Sequence, residues 1–147
     1  MNVTKKEQNC MMILLDRYLE SRSYHSARTT TDISLTRFGA NKGNNVSLES
    51  MGINYYGGHV VNKNNELALY YMERAGLLGN VRAMVFCGIA NSLGIGTESN
   101  LEVAHWWFSR ASERGNANAK FILNLNTFKG FKPEISLEYG NAQGVTA

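Results

Sequence analysis

The chain has 147 residues, 44% hydrophobic and 18% charged, which suits one domain with a sizeable core and excludes an intrinsically disordered chain. The formal charge of +3 is mild and uneven: residues 1–46 hold seven basic and four acidic side chains, residues 47–147 eight of each. No apolar stretch approaches the length of a membrane span, and Cys10 and Cys87 form no C-x-x-C pair.

The first element in chain order is a helix over 5–21, KKEQNCMMILLDRYLES. Cys10, Ile13, Leu14 and Tyr18 share one face, and Met11, Leu15 and Tyr18 another. Its apolar run is too short for a signal peptide and lies between charges, so the chain is expected in the cytoplasm, with both cysteines as buried thiols. The helix is expected to cap the core of the element that follows; a partner-binding or dimerising helix is the alternative. The polar stretch 21–32, SRSYHSARTTTD, reads as a loop, or as a basic docking strand for an acidic partner.

From residue 47 the chain repeats itself. RAGLLGNVRA at 74–83 returns as RASERGNANA at 110–119. At a spacing of thirty-six, Gly52, Ile53, Gly58, Asn64, Glu66, Ala68, Arg74, Ala75, Gly79, Asn80 and Ala83 recur as Gly88, Ile89, Gly94, Asn100, Glu102, Ala104, Arg110, Ala111, Gly115, Asn116 and Ala119. Chance would give about two identities over such a window. The register continues weakly outward, through Gly43-Asn44 upstream and Leu123, Leu125, Gly130 and Glu138 downstream. The division is therefore 1–46 (capping helix, basic polar loop and degenerate half-repeat), 47–82 and 83–118 (full repeats), and 119–147 (a degenerate C-terminal repeat).

Each full unit reads as two helices, A and B, over 47–57 and 65–77, then 82–93 and 100–113. Gly79 and Gly115 stop the B helices. Ser99 and Glu102 have capping-box spacing, which predicts Ser99 as N-cap. Gly52, Gly88, Ala68, Ala104, Ala75 and Ala111 let helix axes approach closely, while Tyr55, Tyr71, Trp107 and Phe108 fill the space between layers.

This pattern resembles the Sel1-like repeat, a relative of the tetratricopeptide repeat. The second unit carries it as Ala83, Cys87-Gly88, Gly94-Ile95-Gly96, Ala104, Trp107-Phe108, Arg110-Ala111 and Gly115-Asn116; the first as Met51-Gly52, Tyr55, Gly58, Ala68, Tyr71-Met72, Arg74-Ala75 and Gly79-Asn80. Asn91 stands where the family has tyrosine, and the paired cysteines of some secreted members are missing. The resemblance implies an all-α, short right-handed α-solenoid that binds proteins and has structural rather than catalytic signature positions.

The residues themselves point the same way. His25, His59 and His105 are scattered, and no cluster has metal-ligand spacing, so no metal, cofactor or catalytic residue is expected. Gly94-Ile95-Gly96 lacks the lysine and the preceding strand of a phosphate loop, and no base-stacking motif for nucleic acid is present. The expected partner is another protein, met on the concave face lined by the A helices. There Glu49, Ile53 and Tyr56 share a side, followed by Val85 and Ile89, then Phe121, Leu125 and Phe128, with Asn54, Lys120 and Asn124 on the rim. The column Ile53–Ile89–Leu125 makes an apolar stripe, unless it faces a neighbouring helix instead. An adaptor or scaffold is the leading reading. A short array would also suit a dedicated inhibitor or immunity protein that masks a toxin, and the basic N-terminal segment leaves a nucleic-acid binder or an enzyme in residues 1–46 as the remaining alternative.

Overall fold

The computed structural model describes residues 3–22 and 26–131. Seven helices follow one another: α1 (Lys5–Arg22), α2 (Thr30–Asn41), α3 (Asn45–Gly57), α4 (Asn65–Leu77), α5 (Val81–Leu93), α6 (Leu101–Glu113) and α7 (Ala117–Leu123). There is no strand among the described residues. From α2 to α7 each helix packs on the helix before and the helix after it, as expected of a repeat array stabilised by nearest neighbours.

The boundaries come from asparagine and glycine. Asn44, Asn64, Asn80, Asn100 and Asn116 are the N-caps of α3 to α7. Each side-chain oxygen accepts from a backbone N–H of the first turn that has no partner within the helix, for example Ala83 N–H to Asn80 at 3.0 Å. Ser99 is not the N-cap of α6. Asn100 takes that place, accepting from the N–H groups of Glu102 and Val103 at 3.1 Å, while the Ser99 hydroxyl donates to the Ser92 carbonyl. The A helices end on glycine: Gly58 and Gly94 are left-handed at φ 70° and 75°, where a side chain would be strained.

The core lies between successive helices. Met51, Met72, Met84, Cys87, Trp107 and Phe108 have no exposed surface. The glycine in each A helix brings helix B close: a Cβ on Gly52 would stand 2.8 Å from Met72, and one on Gly88 2.4 Å from Phe108.

The N-terminal part differs most from expectation. Residues 21–32 are not one loop, because α1 runs through Arg22 and α2 begins at Thr30, capped by Thr29. Nor does α1 sit on the end of the array. Its helix neighbour is α5, and α2 is left as the end helix with Leu35 67% and Phe38 64% exposed. At the other end α7 stops at Leu123. Leu125 and Phe128 follow it in turns instead of prolonging a helix A, and Phe128 folds back edge-on to the Phe108 ring at 5.5 Å. Residues 133–147 of the C-terminal segment lie outside the described residues.

Candidate functional site

The expected binding face is the inner side of α3, α5 and α7, and the structure shows what covers it. α1 lies along this face antiparallel to α5. Near its C-terminal end, Tyr18 and Arg22 meet Glu49 in α3. At its N-terminal end, Val3, Lys5 and Gln8 stand beside Leu93 and Ile95, at the far end of α5, and Glu7 accepts a hydrogen bond from the Thr127 hydroxyl beyond α7.

The polar centre is Glu49, 1% exposed. Its carboxylate accepts from the Tyr18 hydroxyl at 2.6 Å, from Arg82 Nε and Nη2 at 3.1 Å each, from Asn80 Nδ2 at 3.1 Å and from Arg22 Nη2 at 3.4 Å. Burial pushes this carboxyl up; the hydrogen bonds from Arg82, Tyr18 and Asn80 outweigh it, leaving Glu49 below its ordinary value. Burial first, and the neighbouring Glu49 charge second, raise Tyr18, so its hydroxyl remains a donor. Sequence reasoning found Glu49 on this face but neither of its chief partners: Tyr18 is thirty-one residues away and Arg82 thirty-three. The one available signal was an acidic residue on an otherwise apolar face.

The apolar part follows. Met11 and Leu15 of α1 are fully buried, as is Ile89, and Ile53 is nearly so. Val85 and Tyr56 are half-buried, Tyr56 edge-on to Phe86 at 5.5 Å with the Lys63 ammonium 4.4 Å from its ring. Beneath α1 remains a cavity of about 60 Å³, lined by Leu14, Leu15, Val85, Phe86 and Ile89 among others. Asn54 faces neither groove nor rim. It is fully buried and clamps the link before α2, accepting from Ala27 N–H and donating to the Ala27 and His59 carbonyls, all at 2.9 Å. Lys120, Phe121 and Asn124 are exposed around α7, Leu125 is half-buried, and Phe128 belongs to the core under α6. The expected residues therefore do not form one open surface. Glu49, Val85 and Ile89 are gathered under α1, Ile53 is buried in the core, and Lys120, Phe121 and Asn124 form a separate exposed cluster.

The remaining reactive groups are dispersed. Burial raises the Cys87 thiol well above its usual range and lowers His105, which stacks on Phe131. Both cysteines are free. Among the described residues no three His, Cys, Asp or Glu side chains could hold a metal ion, and no helix is long and apolar enough to cross a membrane. Gly94-Ile95-Gly96 is the turn after α5, with Gly94 as its cap.

No protein of curated function matches the chain in sequence. The family model described as Sel1 repeat matches residues 47–80 and 81–116, which span α3–α4 and α5–α6. Among solved structures the chain is similar to a Sel1 repeat protein from Oxalobacter formigenes, at 30% identity and a TM-score of 0.61, over 63% of this chain and 69% of that one. Paired helices every thirty-six residues, asparagine caps at each joint and a glycine under each bulky helix-B residue agree with that likeness. The chain belongs to the Sel1 repeat family.

Proposed function

We propose that the chain is a non-enzymatic protein-interaction module, an adaptor or scaffold whose concave A-helix face takes an α-helical segment of a partner protein. The observation that carries this reading is that the face already holds a helix: α1 lies on Val85, Phe86 and Ile89 with its Tyr18 hydroxyl on Glu49. A groove built for such a ligand supplies apolar seats and one buried polar anchor. The free thiols fit a reducing, cytoplasmic setting. Lys120, Phe121 and Asn124 form the rim that a bound partner would meet next.

Affinity capture with the tagged full chain tests this. One protein is expected at stoichiometric yield. Phe121→Asp, at a side chain 53% exposed, is expected to lower its recovery about tenfold, the effect of losing an aromatic anchor, with the thermal midpoint unchanged. A captured enzyme that loses activity on binding would make the module an inhibitor. Recovery of nucleic acid alone, abolished by nuclease, would overturn the proposal.

A further inference from the structure

The thirty-six-residue register gives α1 an identity its position conceals. Helix A occupies Asn45–Gly57 and Val81–Leu93; one period earlier falls 9–21, inside α1. The links from helix A to helix B are 58–64 and 94–100, seven residues each, and the link from α1 to α2 is 23–29, again seven. Met12 falls on the buried Leu48 and Met84, and Leu15 on the buried Met51 and Cys87.

The one large departure is matched by a second. Asp16 replaces the glycine that elsewhere lies under Met72 or Phe108, and the residue facing it would be Thr36, smaller than either. On helix B the position of Tyr71 and Trp107, 9% and 0% exposed, is held in α2 by Leu35, which is 67% exposed. α2 thus carries the apolar surface for a helix A of its own, and the helix in register to cover it lies in the groove instead.

We propose that α1 is the helix A of a zeroth repeat with two seats, the groove and the free side of α2, and that the concave face receives a partner only when α1 moves to the second. α1 suits both seats because 10–15, CMMILL, is apolar all round; in the groove it buries Met11 and Leu15 but leaves Ile13 half out. The groove seat is imperfect, with the cavity of about 60 Å³ below it and Arg22 Nε buried without a hydrogen-bond partner. The competing ligand is defined by what it displaces: an amphipathic helix with apolar residues at two positions four apart and, three residues on, a hydroxyl or cationic donor for Glu49. This rests on the concave face being the protein-binding surface.

The experiment uses the full chain and a fluorescent synthetic peptide of residues 3–22 as probe. Met11→Ser with Tyr18→Phe weakens the groove seat only, since the second seat places a small residue at the first position (Ser47 and Ala83 in the other units). This pair is expected to raise peptide affinity about tenfold, the effect of shifting the population of the open form by about 1.4 kcal/mol. Adding Leu35→Ser, at a side chain exposed in the groove-seated form, is expected to reverse the gain. In the wild-type chain the amides of α1 are expected to exchange about a hundredfold faster than those of α5 and α6, through a local opening.

A folded double variant that binds no more peptide overturns the inference. If that variant fails to fold, wild-type exchange decides: α1 exchanging in step with α5 and α6 overturns it. Undiminished capture of a cellular protein when α1 is cross-linked to α5 overturns this inference and leaves the interaction reading standing. Peptide binding with no protein captured does the opposite.

Discussion

Glu49 shows what one residue contributes across distant parts of the chain. It draws donors from α1, from the cap of α5 and from the first turn of α5, so its charge is satisfied without water. Its carboxyl is lowered in the folded state, so protonation favours the unfolded chain. The stability it contributes is present at neutral pH and lost as pH falls through the carboxylate range. Glu49→Gln is expected to cost about 2 kcal/mol in denaturant unfolding at pH 7. The gap between wild type and variant should close between about pH 5 and pH 3. A gap independent of pH would show that the charge itself contributes nothing. Ile89, which the sequence left between an open stripe and a helix contact, is 1% exposed beside α1, so Ile89→Asp is a core substitution, not a surface probe.

At the scale of the element, the caps and the glycines set the array. Asn64 only caps α4, whereas Asn80 caps α5 and also donates to Asn45 and Glu49. Asn64→Ala is expected to cost about 1 kcal/mol and Asn80→Ala about 2 kcal/mol or more, compared in the same denaturation series. Gly88→Ala places a methyl 2.4 Å from the fully buried Phe108 ring. A loss of about 1–3 kcal/mol is expected, against almost none at Gly130, where a Cβ would meet nothing. The elements were the most legible part of the sequence, because Gly79-Asn80 and Gly115-Asn116 mark a stop and a start at a fixed period. Asn64, Asn80, Asn100 and Asn116 stand among the recurring positions because each caps the helix that follows it. α2 left only the weak trace of a half-repeat, because TTTDISLTRF lacks the alanines of the other B helices and leaves Leu35 and Phe38 in solvent; its helical character rests on the neighbour it meets, α3.

At the scale of the whole molecule, sequence and structure part company over α1. A period reports which residues occupy equivalent places in successive layers, and it did so for α3 to α6. It carries no record of a helix that leaves its layer, since the Tyr18–Glu49 and Glu7–Thr127 bonds join residues unrelated by thirty-six. The helix pairs could therefore be located from the sequence, while the place of α1 against α5 could not.

The two anchored ends of α1 also make it a ruler. It is 18 residues long, about 27 Å at the helical rise, held by Glu49 in the first full unit and by Thr127 after the last. Both anchors are met at once only while the array between them holds as many layers as this helix can reach across. Inserting a second copy of 81–116 would move Thr127 away by about one helix spacing, roughly 10 Å. The lengthened chain is expected to keep its repeats folded and lose the Glu7 bond, read as faster amide exchange in the first turns of α1. Repeat number, free to drift in an open solenoid, is here gauged by a helix that belongs to the same chain.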